Sequence, residues 1–120
     1  MIIDFFQLDA WKQSNVLALE IYKVTKLFPD SEKYGIIDQL RRASTSVGAN
    51  IAEGFGRYTF KDKIHFFYQS RGSLKEVQNF ILLAKDLKYL NEVDLKKIWV
   101  QSKISEKLIN GLIKSTEKQK

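Results

Sequence analysis

Cysteine is absent from this 120-residue chain, and histidine and proline occur once each. The first absence removes disulfides, thiolate metal sites and cysteine nucleophiles. The lone His65 has no second histidine to build a metal site with and no evident orienting group, so it reads as a surface or boundary residue. Di-iron helical bundles need two Glu-x-x-His motifs, and the chain has none; Glu20, Glu53 and Glu76 alone leave such a site incomplete. There is no Walker loop, and Gly54-Phe55-Gly56 lacks the third glycine and the strand-turn-helix setting of a dinucleotide fingerprint. No apolar run approaches the roughly 18 residues of a membrane span, and Met1-Ile2-Ile3-Asp4 lacks the basic start of a signal peptide. These gaps leave no cofactor or metal to expect, and no set of groups that meets the demands of an active site. A cytoplasmic, non-enzymatic protein is the resulting expectation.

What the chain does have is cationic charge and helical periodicity. The net charge is +6, and all of it falls in the second half. Residues 1–60 balance seven Lys/Arg against seven Asp/Glu, whereas residues 61–120 carry thirteen against seven. Such asymmetry marks either a face for nucleic acid or an acidic partner, or a solvated lysine surface.

Apolar residues recur at intervals of three and four, which predicts helices and a single all-α domain over residues 1–120. The first helix is expected over about 8–28, with Leu8, Trp11, Asn15, Leu19 and Tyr22 on one stripe and Pro29 as its stop. The second is expected over 31–56, capped by Asp30 or Ser31, with Ile36, Leu40, Ala43, Val47 and Ile51 inward. Its interior glycines, Gly48 and Gly54, imply close approach by a neighbouring element, because each costs about 1 kcal/mol in a helix. The third spans 60–89 behind a Thr59 cap, with Ile64, Phe67, Leu74, Val77, Ile81 and Ala84 inward; the fourth spans 93–116. Short connections then predict an up-down-up-down antiparallel four-helix bundle. Ile21, Val24, Phe66, Phe80, Trp99 and Leu108 lie beside the narrow stripes, and arcs that broad point to self-association.

Two polar patterns carry the functional reading. Gln39, Arg42, Ser46, Asn50 and Glu53 share one side of the second helix, and Arg71 falls between the core positions Phe67 and Leu74 of the third. A guanidinium placed there must meet a carboxylate or carbonyls. The expected arrangement is a network in which Glu53 or Glu76 pairs with Arg71 and Asn50 completes the hydrogen bonds, either fixing helix register or lining a polar pocket. The second pattern is basic. Lys96, Lys103, Lys107 and Lys114 share a helical side, Lys61 and Lys63 open the third helix, and Arg41 and Arg57 stand at possible edges. Phosphate contacts made by such residues would give salt-sensitive, sequence-tolerant binding of RNA or DNA. A protein-protein scaffold with no nucleic-acid contact is the alternative.

Several segments together carry a resemblance: Trp11-Lys12, Phe28-Pro29, Gln39-Leu40-Arg41-Arg42-Ala43, Asn50-Ile51-Ala52-Glu53-Gly54-Phe55-Gly56-Arg57, Arg71-Gly72-Ser73-Leu74-Lys75-Glu76 and Leu108-Ile109-Asn110-Gly111-Leu112. Through them the chain resembles, over nearly its whole length, the four-helix bundle proteins encoded within 23S ribosomal RNA intervening sequences. Gly48 departs from the proline common there. It is also similar to the accessory variability determinants of diversity-generating retroelements. The resemblance implies a homopentameric ring and a nucleic-acid or reverse-transcriptase-like partner. It implies no catalytic residues.

Overall fold

The computed structural model describes residues 1–119. The described residues form four helices, α1 (Asp9–Thr25), α2 (Ile36–Phe55), α3 (Phe60–Asp86) and α4 (Glu92–Glu117), with 3₁₀ turns at Phe5–Gln7 and Asp30–Glu32. Each helix packs on the next, and α1 closes the bundle against α4, within an envelope of 45 × 25 × 21 Å. Cross-helix bonds run in opposite order along neighbours. Tyr68 meets Glu117, Arg71 meets Asn110 and Lys75 meets Glu106, so α3 and α4 are antiparallel.

Helix ends depart from expectation for local reasons. Helix α1 stops at Thr25, before Pro29, because the chain tightens into i→i+3 bonds from Leu27 and Phe28. Phe28 then turns into the core against Tyr89, at 5.4 Å between ring centroids. Asp30 and Ser31 cap nothing; they sit in a 3₁₀ turn, and α2 begins only after Gly35. Glu32 is instead drawn across the bundle, accepting a 2.9 Å bond from the Tyr89 hydroxyl, and that bond raises the tyrosine pKa. Thr59 caps α3 through the Asp62 N–H, as expected. Helix α3 ends three residues early in a Schellman turn: Tyr89 N–H reaches the Ala84 carbonyl and Lys88 N–H the Lys85 carbonyl. Lys88 takes the left-handed position at φ 64°. Asn91 caps α4 at Asp94 N–H, 2.7 Å.

The expected stripes of α2 and α3 are buried residue for residue. That of α1 is out of phase. Its inward face is Ala10, Ser14, Leu17, Ile21, Val24 and Thr25, while Asn15 and Tyr22 face outward and Leu19 is 64% exposed. Small polar residues take core positions there because their hydroxyls find partners inside the bundle. Ser14 lies 3.5 Å from Ser105 of α4, and Thr25 bonds the Ile21 carbonyl at 2.7 Å. Ser70 likewise bonds the Val47 carbonyl at 2.7 Å, and Ser102 that of Trp99. A satisfied hydroxyl is cheap to bury and lets helices approach closely. Ile21 and Val24, expected as outer flanks, lie inside the protein's own core.

Both interior glycines of α2 meet neighbours. A β-carbon at Gly54 would sit 2.6 Å from Cε1 of Phe67 and 3.1 Å from the Lys63 carbonyl; one at Gly48 would touch the Trp11 indole at 3.4 Å. The glycines Gly72 and Gly111 are different, since a β-carbon there would meet nothing within 4 Å.

Candidate nucleic-acid interface

The α3–α4 seam is organised by Glu106. Gln78 Nε2 donates to its Oε1 at 2.9 Å, Lys75 Nζ at 3.1 Å and Lys103 Nζ at 3.2 Å. Gln78 is itself buried and also reaches Ser102 Oγ at 3.3 Å. The Gln78 bond, joined by the two ammonium groups and opposed by burial, holds the Glu106 carboxyl down to about 2. Three donors from two helices on one oxygen fix the register of α4 against α3.

This hub gives a pH prediction. The folded pKa lies below the ordinary carboxylate value, so the contribution to stability is present above about pH 4.5 and is lost as pH falls toward 2. A shift of that size corresponds to about 3 kcal/mol, which exposure of both lysines screens to about 1–2 kcal/mol. Glu106→Gln is expected to lower the urea midpoint at pH 7, with a deficit less than half as large at pH 3 that closes only as pH approaches 2. An equal deficit at both values would contradict this account.

Along the outside of this seam lies a basic face. Helical phase and the cross-helix bonds put Tyr68, Arg71, Gly72 and Lys75 of α3 beside Lys103, Lys107, Asn110 and Lys114 of α4, with Lys61 and Lys96 extending the two rows at opposite ends. From Lys96 to Lys114 the stripe runs about 27 Å at 1.5 Å per residue. Lys61, Lys96, Lys107 and Lys114 are exposed and form no ion pair among the described residues. Lys103 is exposed but shares Glu106 with Lys75, so the trio still carries one net positive charge.

The other three cations read as binding residues are engaged elsewhere. Arg41 Nε donates to Thr25 Oγ1 at 2.9 Å, Nη2 reaches the Tyr22 carbonyl, and the guanidinium lies 4.7 Å from the Tyr22 ring centroid. It seals the C-terminus of α1. Lys63 does the same for α2, donating to the Phe55 carbonyl at 2.7 Å, and burial pushes its pKa down. Arg57 lies over the Phe66 ring and 3.7 Å from Glu53.

The expected polar network is not assembled as drawn. Arg71 donates to Asn110 Oδ1 at 3.1 Å and covers the Tyr68 ring, turning toward α4 rather than α2. Glu53 goes to Arg57, and Glu76 is exposed. Asn50 bonds the carbonyl and hydroxyl of Ser46, and that hydroxyl meets Ser73 at 3.0 Å. Arg71 is only half-buried, so α4 and solvent satisfy it without a carboxylate. The polar group that the sequence hid was Glu106. Its i,i+3 spacing from Lys103 was a weak signal, and Lys75 reaches it only through tertiary register.

A second surface lies between α1 and α4. Leu27 of α1 and Val93 and Val100 of α4 are exposed apolar residues lining a groove over Glu20, and Val16 and Ile104 are exposed further along the same two helices. Glu20 Oε2 is buried without a hydrogen-bond partner, and burial raises its pKa against the pull of Lys97 and Lys23. Among the described residues, no three His, Cys, Asp or Glu side chains converge on a metal position, and no helix is long and apolar enough to cross a membrane.

Residues 6–111 match the family model described as 23S rRNA-intervening sequence protein. The structure is similar to that of a protein of unknown function from the S23 ribosomal protein family of Bacteroides thetaiotaomicron VPI-5482. The TM-score is 0.81 at 24% identity, covering 88% of this chain and 95% of that one. That likeness concerns the fold. No curated protein matches the sequence.

Proposed function

Because the chain belongs to the 23S rRNA-intervening sequence protein family, we propose that it is a non-enzymatic bundle that binds RNA or DNA, or a nucleic-acid-processing partner, through the α3–α4 basic face. The observation that carries this reading is the set of exposed lysines at 61, 96, 107 and 114, which form no ion pair among the described residues. Ammonium groups left unneutralised along a rigid surface attract a polyanion and release its counterions on contact. The family is named for sequence that interrupts 23S rRNA, which makes structured RNA the first ligand to try. Action in the cytoplasm belongs to the same reading.

The α1–α4 groove supports self-association, in the ring of five that the resemblance implies. Clustered exposed apolar side chains favour burial, and a second copy would cover them if it also brings a donor to Glu20. Lys96 borders this groove, whereas Lys107 and Lys114 lie further along α4 and would stay outward. Light scattering that reads a single-chain mass at micromolar concentration would remove the ring.

The binding claim is tested by titrating labelled structured RNA at about 50 and 200 mM salt. Binding that weakens at least ten-fold between them, roughly as a few phosphate contacts require, is expected. No binding at the lower salt removes the nucleic-acid reading and leaves a protein-protein scaffold.

A further inference from the structure

We infer that the first turns of α3 form a stacking platform for a single-stranded stretch of nucleic acid, centred on Tyr68. This rests on the basic-face reading above and adds what part of the ligand is gripped there. Lysines alone hold phosphates; they give an unpaired base nothing to lie on. Tyr68 is 42% exposed yet fixed at two points. Its hydroxyl donates to Glu117 Oε1 at 3.4 Å, and the Arg71 guanidinium lies over one face of the ring, 5.1 Å from its centroid, which leaves the opposite face for a base. Arg71 is held in turn by Asn110. A ring braced in this way loses little freedom when a base settles on it, which distinguishes it from the almost fully exposed Tyr58 and Tyr34.

The surroundings fit the same occupant. Lys61, Ile64, His65 and Tyr68 line a shallow depression, and His65 is steadied by Gln69 at 3.1 Å. One turn beyond Tyr68, on the same face, stands Gly72, whose missing side chain leaves open space. A glycine inside a helix is unfavourable by about 1 kcal/mol relative to alanine, and no packing within the protein requires this one. It keeps the floor beside the ring flat, so that a sugar or base can lie against the helix backbone. Lys61 stands at one end of the floor without an ion pair among the described residues, and Lys75 at the other, its charge shared with Glu106, so a strand crossing the floor meets its free cation at the Lys61 end. Duplex bases are stacked on each other and have no use for an exposed ring, whereas every unpaired base has a π-face to offer. A protein partner fits less well, because lysine is depleted from the centres of protein interfaces.

The test is fluorescence anisotropy with a labelled oligouridine of about a dozen nucleotides, its oligothymidine counterpart, and an RNA duplex of the same length. The platform predicts that both single strands bind more tightly than the duplex. Tyr68→Ala should weaken them roughly ten-fold while changing duplex affinity less than about two-fold. Gly72→Leu is the companion variant, since its side chain enters open space on a helix and keeps the fold. It should also cost the single strands roughly ten-fold, with melting temperature unchanged or higher. Single strands bound as before by both variants would overturn the platform and leave the basic face standing. Failure of all three oligonucleotides to bind at low salt would remove the face, and the platform with it.

Discussion

Replacing Lys96, Lys107 and Lys114 together by glutamine is expected to weaken RNA binding by about two orders of magnitude. Each of these ammonium groups is exposed and forms no ion pair among the described residues. A phosphate contact worth roughly 1 kcal/mol per lysine sums to about 3 kcal/mol, or about 150-fold. The slope of log affinity against log salt should fall by about three, one for each contact removed. Stability should hardly move, since exposed substitutions away from special features stay within about 0.5 kcal/mol. Lys103→Gln is the internal control. Its charge is already shared with Glu106 and Lys75, so its effect on the slope should be smaller than that of any of the three. Equal effects at all four positions would mean that the ion pair does not screen the site as described.

Gly54→Ala is expected to destabilise the protein by about 2 kcal/mol, a fall of roughly 1–2 M in the urea midpoint. The added methyl would stand 2.6 and 2.9 Å from two carbons of the Phe67 ring and 3.1 Å from the Lys63 carbonyl. Phe67 is buried at 2% exposure and has nowhere to turn, and the carbonyl belongs to the backbone of α3. Only a shift of α2 away from α3 relieves the clash, and that costs packing along the most extensive helix pair of the bundle. The gain in helix propensity, up to about 1 kcal/mol, offsets part of it. Gly72→Ala should have the opposite sign, stabilising by about 0.5–1 kcal/mol, because its methyl meets nothing. A Gly54→Ala protein as stable as the wild type would contradict the close approach.

Why some of this was legible in the chain and some was not follows from what each feature depends on. The α2 and α3 stripes are built from large aliphatic and aromatic residues at helical spacing, so periodicity alone located Leu40, Val47, Phe67 and Leu74 in the core. The two tight glycines were readable because their cost demanded a reason. Helix α1 misled because its inward face is partly Ala10, Ser14 and Thr25, while Leu19 and Tyr22 face outward. Hydroxyl pairing across helices, such as Ser14 with Ser105, has no signature in one segment. The same limit hid the Glu106 hub. The relative sliding of α3 and α4 decides which lysines reach that carboxylate, and no local pattern encodes it. Arg41 and Lys63 looked like surface cations, yet each closes a helix C-terminus that sequence spacing had placed a residue or more away.

The most direct measurement of where polyanions bind is a heteronuclear NMR titration of the labelled protein with structured RNA, followed residue by residue. The account predicts shifts concentrated at Lys61 to Lys75 of α3 and Lys96 to Lys114 of α4, with α2 quiet. Shifts centred on α2, or on Arg41 and its neighbours at the end of α1, would contradict it.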